Sequence, residues 1–167
     1  MSAESKMARN ALVTGAARRI GRAIALRLAG EGFGLALHSS LRSAPEAEAL
    51  AAELRAQGGR ACVVTGDLGQ ARDVAALIDQ ASAALGPLSL LVNNASLYEP
   101  DVPGAFDAAF FDRLMAVNLR APLQLASDFA RALPDTMRGD IINIIDQKVW
   151  RLNPRYFSYT LSKSAFW

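Results

Sequence analysis

Two residues near the end of the chain, in the run Tyr159-Thr160-Leu161-Ser162-Lys163, have the types and spacing for acid–base chemistry. If a helix begins near Ser158, Tyr159 and Lys163 stand one turn apart on one face, where an ammonium would stabilise a phenolate and lower the tyrosine pKa. An ordinary solvated helix face gives the same spacing. The argument for chemistry is position: the pair follows the fifth of five strand-like runs and faces the crevice that the turns after the other four also face.

Those turns ask for a phosphate-bearing ligand. After the first run comes Thr14-Gly15-Ala16-Ala17-Arg18-Arg19-Ile20-Gly21. Gly15 permits a tight turn, and the small Ala16 and Ala17 leave backbone N–H groups open at a helix N-terminus, where a pyrophosphate is favoured. A plain strand-to-helix turn would also use glycine. After the second run, His38-Ser39-Ser40-Leu41-Arg42-Ser43 holds no acid. An NAD site places Asp or Glu there for the ribose hydroxyls, whereas Arg42 and the hydroxyls of Ser40 and Ser43 suit a 2′-phosphate and hence NADPH/NADP+; a solvated polar loop is the plain alternative. After the third run, Asp67 in Gly66-Asp67-Leu68 would bond an adenine amino group or cap the next helix. After the fourth, Asn93-Asn94-Ala95-Ser96 brings donors and acceptors that need partners wherever they are buried, so these residues should shape a cofactor-contacting backbone.

The elements that must hold these turns are legible as apolar runs at Ala11–Thr14, Phe33–His38, Ala61–Thr65, Leu88–Val92 and Asp140–Ile145, alternating with helical patterns. Ile20, Ala23, Ile24 and Leu28 repeat at helical spacing after the first run. Ala47, Leu50, Ala51 and Leu54 do so before Gly58-Gly59, and Val74, Leu77, Ile78, Ala81 and Leu85 before Gly86-Pro87. Helices crossing between short apolar strands predict a doubly wound parallel α/β sheet in three α/β/α layers, with ligands beyond the carboxyl ends of the strands. The 167 residues make one domain, from residue 9 to 167, after a disordered start over residues 1–8.

Composition limits the partners. Hydrophobic residues are 51% and charged ones 20%, as in a globular protein. The net charge of +2 comes from 18 basic and 16 acidic residues scattered without runs, so no nucleic-acid or membrane partner is indicated. No apolar stretch approaches a signal peptide core or a membrane span. The lone Cys62 excludes a disulfide framework and reads as a buried, inert thiol. A cytoplasmic protein without a metal site is expected.

Taken together, TGAARRIG, GDL, LVNNAS, the MAVNL run containing Asn118, and YTLSK resemble the short-chain dehydrogenase/reductase family from about residue 9 to the chain end. The resemblance implies a Rossmann-type domain binding NAD(P)H, with a small-molecule substrate and homo-oligomeric assembly of the full-length form. It implies Tyr159 as general acid, Lys163 on the nicotinamide ribose and Asn118 holding a proton-relay water. Gly15, Arg18, Arg19, Ile20, Gly21, His38, Ser40, Arg42, Ser43, Asp67, Leu68, Asn94, Ala95 and Ser96 would line the cofactor.

Two departures narrow the resemblance. Arg19 stands where the family carries glycine, and Asp146 replaces its catalytic serine; with NNAS and HSSLRS they resemble the pteridine reductase branch, which reduces pterins and folates with NADPH. Arg18 would then meet the cofactor phosphates, Arg19 the pyrophosphate and the pterin's polar edge, Ser96 the pterin amino group, and Tyr98 the ring face. A C=N bond takes hydride at carbon and a proton at nitrogen, so it needs an acid beside the nicotinamide; Tyr159, sharing a proton with Asp146, would supply one. A reductase of ordinary carbonyls and a catalytically silent dinucleotide-binding fragment are the other readings. Family members continue beyond Trp167 through further strands, a helix and a substrate-covering loop, so the chain is expected to be a truncated or frameshifted product, or to continue beyond this sequence.

Overall fold

The computed structural model describes residues 9–167, and the expectation for residues 1–8 lies outside them. Five strands, β1 (Asn10–Val13), β2 (Gly34–Ser39), β3 (Ala61–Thr65), β4 (Leu90–Asn93) and β5 (Asp140–Asn143), form one wholly parallel sheet in the order β3-β2-β1-β4-β5. The chain winds outward from β1 to β3, then crosses back to β4 on the other side of β1. The carboxyl ends of β1 and β4 are therefore the switch point at which a ligand crevice opens.

The strands alternate strictly between two cores, as a period of two requires. Leu12, Ala36, Val64 and Leu91 point to the face covered by α3 (Ala71–Leu85) and α5 (Ala121–Ala132). Ala11, Val13, Leu35, Leu37, Leu90 and Val92 point to the face covered by α1 (Arg19–Gly30) and α2 (Ala44–Ala56). The expected α/β/α layering is what forms.

The differences in detail have local causes. β4 begins at Leu90 rather than Leu88, because Gly86 turns the chain at φ 90° and Pro87 has no N–H for a ladder. In α1 the apolar stripe is displaced: Ile20 is 59% exposed, and the buried positions are Gly21 and Ala25, the small residues that let the helix sit close to the sheet. Cys62 is half-buried rather than buried, because β3 is an edge strand. β5 forms the other edge, with Ile141 and Ile142 exposed.

Two helical segments matter for the site. α4 (Ala108–Met115) runs into α5 through a π turn over Ala116–Arg120. Pro122 lacks the N–H that would donate to the Asn118 carbonyl, and the helix widens in the turn before it. That wide turn carries buried Asn118. The last helix, α6 (Phe157–Phe166), begins where the sequence places it and carries Tyr159 and Lys163. Among the described residues no helix is long and apolar enough to cross a membrane.

Candidate active site

A cleft of about 710 Å³ runs along the carboxyl ends of the strands, from the turn after β1 to Tyr159 and Lys163. Its first wall is the turn after β1. Gly15 has φ 64°, and Arg19, at φ 51°, is the one non-glycine residue in the left-handed region among the described residues. Helix α1 starts without a side-chain cap and without an acidic residue in its first turn, so its N-terminal N–H groups are open to an anion. A Cβ at Gly21 would collide with the Gly15 carbonyl oxygen, which is why that position is glycine.

Side chains from the neighbouring strands fasten this turn. The Gly15 N–H donates to His38 Nδ1 at 3.2 Å, leaving Nε2 as the protonated nitrogen facing the Gly66 carbonyl at 3.2 Å. Burial pushes the His38 pKa down to about 4, against the opposing effect of the Gly66 carbonyl, so the ring is neutral. Thr14 Oγ1 accepts the N–H groups of Asn94 at 2.9 Å and Ala95 at 3.0 Å, and the Asn94 amide donates back to the Thr14 carbonyl at 2.8 Å. Asn93 donates to Asn143 Oδ1 at 2.9 Å, tying β4 to β5. Asn94 thus shapes the backbone of the turn after β1 while Asn93 does not reach it; Thr14, which the sequence reading passed over, anchors residues 94 and 95.

At the far end, Arg18 is exposed and paired with Glu46 at 3.1 Å, an ion pair that an incoming anion can displace at little cost. Ser40 and Ser43 face each other at 3.1 Å and line the cleft with Arg18, His38 and Leu68. Arg42 is exposed and is not among the residues that line it. Asp67 does not cap α3: its carboxylate accepts the Gly69 N–H in a local turn, and Gln70 begins the helix without a side-chain cap.

At the near end, the Tyr159 hydroxyl donates to Asp146 Oδ2 at 2.9 Å. Burial first, and then the hydrogen bond to Asp146, push the Tyr159 pKa up. This corrects the expectation that Lys163 lowers it. The Lys163 ammonium donates to the Ile144 carbonyl at 3.0 Å and lies 6.0 Å from the Tyr159 ring centroid, so its hydrogen bond goes to the strand end. Burial in turn pulls the Lys163 pKa down.

Tyr98 lines the cleft mouth, stacked on Tyr156 with ring centroids 4.4 Å apart and edge-on to Tyr159 at 4.8 Å. The Lys148 ammonium lies 3.9 Å from Asp146 and 5.0 Å from the Tyr98 ring. Neither Tyr156 nor Lys148 was foreseen; only their nearness to Tyr159 and Asp146 in sequence pointed to them. Asn118 sits behind the cleft with its amide spent on protein partners: it donates to the Leu97 carbonyl and Ser162, and accepts from Leu97 N–H and the Ser96 hydroxyl.

The family profile described as short chain dehydrogenase matches residues 9–166. The chain is 35% identical to a short-chain type dehydrogenase/reductase of Picea abies, covering 94% of this chain and 60% of that protein. It is also 35% identical to the NADPH-dependent aldehyde reductase 2, chloroplastic, of Arabidopsis thaliana, covering 94% of this chain and 62% of that one. Among solved structures, FolM alternative dihydrofolate reductase 1 from Brucella suis, in complex with NADP, superposes with a TM-score of 0.91 at 53% identity, covering 95% of this chain and 66% of that one. The angucycline C-6 ketoreductase LanV with bound NADP gives 0.85 at 35%, covering 95% and 63%. The chain thus spans less than two thirds of the length of these relatives.

Proposed function

We propose that this chain, which belongs to the short-chain dehydrogenase family, forms the nucleotide-binding and acid-bearing part of an NADPH-dependent reductase of pterin or folate C=N bonds. The observation that carries the reading is the Tyr159–Asp146 hydrogen bond in the cleft, with the Tyr98 ring edge-on to Tyr159. The 53% identity to a FolM alternative dihydrofolate reductase supports it.

The residues fit the cofactor. The uncapped start of α1 and the space kept by Gly15 and Gly21 suit a pyrophosphate, and Arg18, Ser40 and Ser43 suit a 2′-phosphate. Bound there, NADPH supplies the hydride. Tyr159, protonated at neutral pH, holds the proton for the substrate nitrogen; burial and the bond to Asp146 raise its pKa and so weaken it as an acid. Asp146 orients the hydroxyl and, as its hydrogen-bond acceptor, shares the proton. Lys163, fixed by Ile144, sits where it can meet the cofactor ribose. Tyr98 offers a face to a flat ring, with Arg19 and Ser96 for its polar edge. The resemblance to the family adds a homo-oligomeric assembly and a cytoplasmic setting to this proposal.

A second reading, reduction of an ordinary carbonyl, is favoured by the likeness to LanV and to the aldehyde reductase. NADPH oxidation measured with dihydrobiopterin, dihydrofolate and simple ketones separates the two. Turnover of the pterin or folate alone supports the first; turnover of ketones alone overturns it.

A further inference from the structure

Helix α6 opens without a cap of its own: its N-cap residue, Tyr156, makes no side-chain hydrogen bond to the first turn. The cap comes instead from Asp101, in the loop that follows β4. The Ser158 N–H donates to both carboxylate oxygens of Asp101, at 3.1 and 3.0 Å, and the Ser158 hydroxyl donates to Oδ2. The backbone joins in, with the Asp101 N–H donating to the Arg155 carbonyl at 3.0 Å and the Asp101 carbonyl accepting from Phe157 at 3.4 Å. A carboxylate at a helix N-terminus also meets the favourable end of the helix dipole. All of these bonds fall on residues 155–158, immediately before Tyr159.

One turn further on, the same β4 loop reaches α6 again through Asn118, which binds Leu97 on one side and the Ser162 hydroxyl on the other. Ser158 and Ser162, four residues apart, lie on one helix face, and Tyr159 lies between the two attachments. Tyr98, which packs edge-on against Tyr159, is carried by the same loop.

We propose that Asp101 is a positioning residue: with Asn118 it forms a two-point clamp that fixes α6, and so the Tyr159 hydroxyl, relative to Asp146 and the Tyr98 face. This rests on the reading of Tyr159 as proton donor. Because Asp101 touches none of the reacting groups, its effect passes through geometry alone. A displacement of about 1 Å at a proton-transfer centre costs on the order of 10²-fold in rate.

The test is Asp101→Asn, whose amide cannot accept on both sides, with Ser158→Ala, which loses only the hydroxyl contact. Steady-state kinetics should show kcat lowered by about 10²-fold in Asp101→Asn, with a smaller change in KM for NADPH, whose ribose Lys163 on the same helix would meet, and the solvent isotope effect on kcat increased. Ser158→Ala should fall between it and the wild type. Amide exchange at Ser158 and Thr160 should quicken in Asp101→Asn while the amides of α3 keep their rates. A variant with kcat within about twofold of wild type and unchanged exchange overturns the clamp. If the wild-type protein turns over no pterin, folate or ketone, the functional reading fails, while the exchange rates still decide whether Asp101 holds the helix.

Discussion

His38 is the chain's single histidine, and the fold ties it to the turn after β1 in one protonation state. Its Nδ1 accepts from the Gly15 N–H, so protonation there would set two N–H groups against each other inside a buried site. Burial brings the folded pKa from 6.5 to about 4. At 1.36 kcal/mol per pKa unit this difference is worth about 3 kcal/mol of stability. The folded value lies below the unfolded one, so that stability is fully present above pH 6.5, is lost as pH falls from 6.5 towards 4, and is gone below that. With one histidine, the imidazole proton signal can be followed by NMR without assignment ambiguity, and urea unfolding at the same pH values reads the stability. The expected result is an imidazole midpoint near 4 and a loss of about 3 kcal/mol that His38→Asn abolishes. A midpoint near 6.5, or a stability profile unchanged by His38→Asn, would refute the assignment of His38 as a neutral fastener of the turn after β1.

Other perturbations should have distinct signatures. Arg19→Gly removes a non-glycine residue from the left-handed region and should raise stability by about 1 kcal/mol in thermal unfolding, while weakening substrate binding as read by KM. Gly21→Ala has no room beside the Gly15 carbonyl and should abolish NADPH binding in isothermal titration, with Gly30→Ala, whose Cβ meets nothing, as control. Thr14→Val leaves the Ala95 N–H without its acceptor and the Asn94 N–H with only the Val92 carbonyl, and should cost about 2 kcal/mol in urea unfolding. Tyr159→Phe should lower kcat by on the order of 10²- to 10⁴-fold with little change in the NADPH Kd; retained turnover would remove Tyr159 from the chemistry.

What the sequence made legible was local. The turns after β1 and β4 announce themselves by residues that packing does not need, such as Gly15 and Asn94, and the period-two and helical patterns between the turns predict the layers. What it hid depends on partners far along the chain. Thr14 anchors residues 94 and 95 across the switch point, and Asp101 caps a helix more than fifty residues downstream; neither has a local signature. The four-residue spacing of Tyr159 and Lys163 was read correctly as one helix face but wrongly as an electrostatic pair. The strand end supplies Ile144 as a nearer partner for the ammonium, and Asp146 for the hydroxyl.

The most direct test of the account follows the hydride itself. NADPH deuterated at the transferable C4 position is incubated with a dihydropterin or dihydrofolate and the protein, and the product is examined by mass spectrometry and NMR. The account predicts one deuterium on the carbon of the former C=N bond, formed on the order of 10²- to 10⁴-fold more slowly in Tyr159→Phe than in wild type. A product without deuterium, or deuterium transferred only to a ketone substrate, would contradict it.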